Sequence, residues 1–146
     1  MANQFNTQLG YFQGFLNAEI DFEIADKDTW TTVTPVITDD SNFQYNTSLD
    51  SNTIVLEQKG IWRIDVIATF QGSTNDDMRF TAYTSESGNL PEMKWNARGG
   101  NNWAISYSAI YKFKNENAVS FKMQNNEAAG ETITMSFGIF TAIRLY

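Results

Sequence analysis

The side chains best suited to chemistry in this sequence are carboxylates in two of its turn-like segments. These are two pairs of adjacent acids, Asp39-Asp40 and Asp76-Asp77. Carboxylate oxygens can bind calcium, or act as acid and base in glycoside hydrolysis. Neither pair has the D-x-[DN]-x-[DN]-G pattern of an EF-hand, and neighbouring acids in one turn do not predict two carboxylates across a cleft. We therefore interpret both pairs as solvated turn acids, and we predict no catalytic residue, metal site or cofactor.

Histidine and cysteine are both absent from the 146 residues. The absence of histidine removes the usual general base near neutral pH, the Ser-His-Asp arrangement and most zinc and copper sites. The absence of cysteine removes disulfides, thiolate metal sites and cysteine nucleophiles. An enzyme is therefore the least favoured class of function.

A second group of candidate residues lies in the long loop-like segment between residues 90 and 103. It contains Trp95, Arg98 and Trp103 among several asparagines. Tryptophan and arginine are enriched at the residues that dominate binding energy in interfaces. An exposed loop with two indoles predicts a site for a glycan or a receptor. The alternative is that both indoles pack beneath the loop as part of the core.

The chain is acidic, with a formal net charge of −7. Such a chain repels phosphate backbones and anionic lipid head groups, so we expect no nucleic-acid partner. No apolar run approaches the roughly 20 residues that cross a bilayer, and no secretory signal is visible at the N-terminus. We expect a protein that is made in the cytoplasm and does not insert into membranes.

Short strands with turns between them recur from Ala18 onward. The clearest strand is "GIWRIDVIATFQG", from Gly60 to Gly72. One face of this strand is apolar throughout, as expected for a half-buried strand. The other face carries Ile61 and Ile67 beside Arg63 and Asp65, so it also needs an apolar cover.

With the other segments included, the sequence contains eight or nine strands in total and no convincing helix. This content predicts an antiparallel β-sandwich, jelly roll or barrel. In the last strand, one parity is assigned to the core: Ile133, Met135, Phe137, Ile139, Ile143 and Leu145. Phe140 and Tyr146 are then expected on the second face of that strand.

Residues 1–17 differ from the rest because they combine large apolar side chains with asparagine, glutamine and glycine and carry no charge. The apolar residues are Phe5, Leu9, Tyr11, Phe12, Phe15 and Leu16. We interpret residues 1–17 as an attachment arm or anchor segment, followed by one domain over residues 18–146. The alternative is an extra strand or short helix folded onto the protein itself.

Three stretches carry a resemblance to a known family. They are "FQYNTSLDSNTIVLEQKGIWRIDVIATF" (43–70), "SAIYKFKNENAVSFKMQN" (108–125) and "FGIFTAIRLY" (137–146). Together they resemble the TNF-like jelly roll, the fold shared with the globular heads of the first complement component. The turn Asn115-Glu116-Asn117 departs from the Gly-Asp that is common in the family.

The resemblance implies a jelly-roll sandwich of about 8–10 strands that forms a homotrimer, each protomer packing one sandwich face against two neighbours. Ile61 and Ile67 would then lie under a neighbouring protomer rather than in water, or else under a long loop of the same chain. The residues expected near the threefold axis are Phe140, with Tyr146, Tyr111 and Tyr83 in support.

The asparagine- and threonine-rich sequence, without cysteine or a signal, is most similar to the bacteriophage members of this family. It therefore predicts a non-enzymatic decoration protein or short head fibre on the virion exterior. Its partners would be its own copies and other virion proteins, above all the major capsid protein. Two alternatives stay open: a tail or baseplate tip that recognises host surface glycans, and a bacterial surface adhesion module.

Overall fold

The computed structural model describes residues 9–39, 45–72, 76–98 and 102–146. These residues form thirteen strands, and none of them is helical. In chain order the strands are β1 (Tyr11–Leu16), β2 (Ile20–Ile24), β3 (Thr31–Val33), β4 (Ile37–Asp39), β5 (Thr47–Asp50), β6 (Thr53–Leu56), β7 (Gly60–Gln71), β8 (Asp77–Thr84), β9 (Gly88–Asn89), β10 (Met93–Asn96), β11 (Asn102–Phe113), β12 (Asn117–Asn125) and β13 (Glu131–Arg144). Nothing helical in the described part of the chain is long and apolar enough to cross a membrane.

The strands form two antiparallel sheets, which we call sheet 1 and sheet 2. Sheet 1 has the order β11-β7-β13-β1-β4, with β2 paired to the other half of β13. Sheet 2 has the order β10-β8-β12-β6-β5, with β3 paired to β12 and β9 to β8. The predicted antiparallel sandwich is confirmed. It has more strands than the 8–10 expected because several of them are only two to four residues long.

The core lies between the inward faces of the two sheets and is dominated by aromatic rings. The rings of Phe80 and Phe121 stack with their centroids 5.9 Å apart, and Phe140 from sheet 1 packs on Phe121 at 5.2 Å. Tyr107 from β11 also enters this cluster, where its hydroxyl oxygen accepts a hydrogen bond from the Ala82 N–H at 3.2 Å. Burial raises the pKa of this hydroxyl above its ordinary value. Contacts of this kind fix the two sheets against each other.

The N-terminal segment is part of the sandwich from Tyr11 onward, so the predicted boundary after residue 17 is wrong. Strand β1 lies inside sheet 1, between β13 and β4. The Phe12 side chain is fully buried, and a Cβ at Gly14 would lie only 2.7 Å from the Thr38 carbonyl oxygen of the neighbouring strand, which favours glycine there. Burial that alternates along β1, as in a strand, therefore places these residues in the sheet rather than on a helical face. Phe5 lies outside the described residues.

A β-bulge between Met135 and Phe137 reverses the alternation of the last strand. Before the bulge, Ile133 and Met135 face the core; after it, Phe140 and Ala142 do. Phe137 is 45% exposed, whereas Phe140 is fully buried in the protomer's own core. The prediction that Phe137 belongs to the core and Phe140 to the second face is therefore wrong. The physical reason is that one extra residue in a strand exchanges its two faces.

We expect Phe140→Ala to lower the free energy of unfolding by about 3–5 kcal/mol, because it opens a cavity among packed rings. Phe137→Ala, on the same strand, is the matched control, with a loss of about 1 kcal/mol, because much of this ring is already in water. Urea unfolding of both variants, at a concentration low enough for the protein to be monomeric, measures the difference. Equal losses, or a larger loss at Phe137, would contradict the exchange of faces.

Candidate functional site

The outward face of sheet 1 carries large apolar side chains in solvent, and we call this surface the apolar face. Four of its residues are well exposed: Phe15 at 38%, Phe137 at 45%, Ile67 at 51% and Ile110 at 57%. Exposed apolar side chains are common singly, but a contiguous group of them marks a surface that binds another molecule. The arrangement of the strands decides whether these residues are contiguous.

Strand register brings these residues together from four strands. Ile67 pairs with Ile139 on β13, and Ile139 pairs with Phe15 on β1. Directly paired residues lie on the same face of a sheet, with their Cβ atoms about 5 Å apart. Ile67, Ile139 and Phe15 therefore form one continuous apolar row across the sheet.

A second row crosses the same face four residues further along the strands. It runs from Ile110 through Arg63 and Ile143 to Tyr11. Phe137, paired with Thr69, extends the apolar surface on the far side of the first row. The apolar face thus spans β11, β7, β13 and β1, and its sequence signal is the mixed second face of β7.

Charge on the apolar face is low and nearly balanced. Three charged side chains point outward from the strands of this face, counted over β1, β7, β11 and residues 137–143. They are Arg63, Asp65 and Lys112. The whole chain, in contrast, has a net charge of −7. Electrostatic repulsion between two copies of this acidic chain is therefore smallest when they meet through the apolar face.

The residues predicted for the trimer contact do not lie on one surface. Ile61 and Ile67 face outward on β7, as the sequence suggested. Tyr111 faces the core side of sheet 1 and packs against Phe113, with ring centroids 5.0 Å apart. Tyr83 lies on the outward face of sheet 2, where the Lys122 ammonium is 3.8 Å from its ring centroid.

Tyr146 is 84% exposed and lies just beyond the end of β13. Its backbone carbonyl accepts a hydrogen bond from the Ile61 N–H at 2.9 Å, which ties the C-terminal residue to the start of β7. Sequence reasoning missed four residues of the apolar face: Ile110, Phe137, Ile139 and Ile143. The three on β13 were hidden by the bulge, while Ile110 alternates with core residues of β11 and was detectable from that pattern.

The predicted anchor residues are divided between the core and the surface. Phe12 belongs to the core, and Tyr11 and Leu16 are half-buried in β1. Phe15 is part of the apolar face. Leu9 is 53% exposed just before β1, so it is the described anchor candidate that lies outside the sheets.

The two loop tryptophans do not form an exposed platform. Trp103 begins β11 almost fully buried, and its Nε1 donates a hydrogen bond to the Arg98 backbone carbonyl at 3.0 Å. Trp95 on β10 pairs with the buried Met78 and packs against the core. Its Nε1 is buried, and no described residue accepts a hydrogen bond from it. Arg98 is exposed.

A polar cleft of about 260 Å³ lies at one end of sheet 2. Its lining residues are Asp77, Met78, Arg79, Lys94, Trp95, Asn96 and Asn126. Asp77 Oδ1 accepts a hydrogen bond from Asn96 Nδ2 at 2.8 Å, and Asp76 Oδ2 accepts one from Asn125 Nδ2 at 2.9 Å. The acid pair thus ties neighbouring strands together through amide groups.

The other predicted acid pair gives no site. Asp40 lies outside the described residues, and Asp39 ends β4. Within the described ranges, no three acidic, histidine or cysteine side chains are grouped so that they could hold a metal ion. The apolar face of sheet 1 is therefore the strongest candidate for a functional surface.

Comparison with solved structures gives the class of fold, which is the TNF-like jelly-roll β-sandwich. The chain is similar to the Eiger TNF from S. frugiperda, with a TM-score of 0.66 and 11% identity over 94% of this chain and 92% of that one. It is also similar to the globular domain of zebrafish complement 1qA, with a TM-score of 0.60 and 8% identity over 94% and 97% of the two chains. Murine APRIL at pH 8.0 gives a TM-score of 0.66 and 7% identity over 94% and 99%. No family model and no curated protein matches the sequence.

We expect Trp103→Ala to lower the free energy of unfolding by about 3–5 kcal/mol, because the indole fills a core position. Arg98→Ala is the control, with a change within about 0.5 kcal/mol, because only its backbone carbonyl accepts the indole hydrogen bond. Denaturant unfolding measures both values. A Trp103→Ala chain of unchanged stability would instead indicate an indole that is available to a ligand.

Proposed function

We propose that this protein is a non-enzymatic structural protein that works as a homotrimer, in which each protomer covers part of its neighbours' apolar faces. The observation that carries the proposal is the continuous apolar row formed by Ile67, Ile139 and Phe15 on an otherwise acidic chain. Covering such a row removes apolar area from water, which is the main favourable term in association. The self-association is therefore driven by burial, with no chemical step.

Two further arguments favour a second copy of this chain as the partner. Homotrimers are typical of the TNF-like fold, and the chain has this fold over 94% of its length. The apolar face carries two positive charges and one negative charge, so a strongly basic or strongly acidic partner finds little to attract it there. In a threefold ring, one part of this nearly neutral surface meets a different part of the neighbour's, so a second copy meets both conditions.

We expect Ile67→Glu to raise the dissociation constant of the homotrimer at least about 100-fold, because it places a carboxylate in the middle of the contact. Val55→Glu is the matched control, since Val55 faces outward on β6 in sheet 2 and its replacement adds the same charge. Sedimentation velocity over a dilution series measures both variants. An Ile67→Glu chain that still assembles like the unmodified protein would exclude the apolar face as the contact.

We further propose that the homotrimer decorates the exterior of a bacteriophage capsid or forms a short head fibre, after synthesis in the host cytoplasm. The support for this proposal is the resemblance of the sequence to phage members of the family, together with its charge. A trimer has three times the −7 of one chain, and so is repelled by packaged DNA and suits an outer position. The major capsid protein is the expected partner.

Attachment to the particle is assigned to the segment before β1. Phe12 cannot anchor the protein, because it is buried in the core, so attachment is left to the residues that precede β1, among which Phe5 lies. A deletion that tests attachment must therefore stop before Tyr11, since a longer one removes a strand from the middle of sheet 1. Removing residues 2–8 satisfies this requirement.

Immunogold electron microscopy of intact particles tests the virion assignment. We expect label spread over the head, and loss of label when residues 2–8 are deleted, with the trimer itself intact in solution. Label confined to a tail tip or baseplate would instead support recognition of host surface glycans. Absence of label from every particle would overturn the virion assignment and leave the homotrimer untouched.

A further inference from the structure

A row of polar side chains crosses the apolar face between its two apolar rows. Its members are paired from strand to strand, in the order Ser108, Asp65, Thr141 and Gln13. On one side lies the row of Ile67, Ile139 and Phe15, and on the other lies the row that contains Ile110 and Ile143. The apolar face is therefore divided by a polar row that runs across all four strands.

The centre of the polar row is a network within one protomer. Asp65 Oδ2 accepts a hydrogen bond from Arg63 Nε at 2.8 Å, and Asp65 Oδ1 accepts one from the Ser108 hydroxyl at 2.6 Å. Both carboxylate oxygens thus have donors before any partner arrives. The side chains of Arg63 and Asp65 are 41% and 28% exposed, so the network can still be covered by another molecule.

Covering this network removes charged groups from water. An ion pair that keeps its hydrogen bonds tolerates burial, whereas an unpaired charge under an apolar partner is strongly unfavourable. The Arg63 Nη groups have no acceptor among the described residues of the same chain. A partner that covers the row must therefore bring oxygen acceptors to the guanidinium and apolar side chains to the flanking rows.

Apolar rows alone do not fix how two sheets lie on each other. Two sheets packed face to face can slip by two residues along their strands and still present the same outward faces to each other. Such a slip would move the Asp65 carboxylate under apolar side chains and would leave the Arg63 Nη groups without acceptors. A single buried polar residue selects one alignment in helical assemblies by the same penalty.

We propose that the Arg63–Asp65–Ser108 network sets the alignment of neighbouring protomers on the apolar face. The partner is a second copy of this chain, and the inference rests on the proposed homotrimer. The network contributes selectivity among alignments, while the apolar rows contribute most of the affinity. The neighbour presents its oxygen acceptors to Arg63 in one alignment and fails to do so after a slip.

The experiment compares two changes in the network with a control elsewhere. Asp65→Ala removes the shared acceptor and leaves Arg63 and Ser108 to be buried without it. The triple change Arg63→Met, Asp65→Leu and Ser108→Ala removes the whole network and keeps the face apolar. Asp50→Ala, at an exposed acid that ends β5 in sheet 2, is the control for loss of one negative charge.

Native mass spectrometry and sedimentation velocity at several concentrations give the dissociation constant and the distribution of species. We expect Asp65→Ala to raise the dissociation constant at least tenfold, with Asp50→Ala unchanged. The triple variant should associate as tightly as the unmodified chain but populate more than one oligomer. Should Asp65→Ala fail to fold, Ser108→Ala removes one of the two hydrogen bonds and is expected to weaken association at least threefold.

The outcomes separate the two proposals. An unmodified chain that stays monomeric would overturn the homotrimer and this inference together. A trimeric chain in which Asp65→Ala behaves like Asp50→Ala would overturn the inference alone. A triple variant that remains one trimeric species would also overturn it, because the apolar rows would then suffice to fix the alignment.

Discussion

The extra residue in β13 is the constraint on which both surfaces of sheet 1 depend. Without the bulge between Met135 and Phe137, one parity of β13 would stay inside along the whole strand. With it, the first half of the strand fills the core beside β2, and the second half delivers Phe140 to the aromatic cluster. The same reversal turns Phe137 and Ile139 outward, next to Ile67. Core packing and the apolar face are therefore two results of one irregularity in one strand.

The apolar face differs from an ordinary exposed surface in two physical respects. Its apolar residues are aligned in register across neighbouring strands, and the Asp65 carboxylate at its centre already accepts hydrogen bonds from Arg63 and Ser108. A permanently solvated surface requires neither arrangement, because water satisfies polar groups at little cost. A surface that becomes covered requires both, since every polar group that loses water needs another partner. The low charge of this face in an acidic chain fits the same requirement.

The sequence was sufficient for the fold class and for the dual character of β7, because alternation over twelve residues is a strong local signal. The sequence did not predict the bulge in β13, because the residue types around Ser136 do not indicate one. It also misplaced Tyr11–Leu16, because its apolar residues lie in the adjacent pairs Tyr11-Phe12 and Phe15-Leu16 and so lack the period-two pattern of a strand. Trp95 and Trp103 illustrate a further limit: residue type alone does not distinguish an indole that binds a ligand from one that fills the core.

The position of β1 inside sheet 1 has a consequence for how the chain reaches its native state. Phe15 pairs with Ile139, so during synthesis β1 waits for β13, which emerges after all the strands between them. Folding dominated by such distant pairings is slow, and the waiting strand offers unpaired backbone groups and the Phe12 ring to other chains. Newly made chains at high concentration are therefore exposed to premature intermolecular pairing at β1. That exposure ends when β13 pairs with β1 and completes the centre of sheet 1.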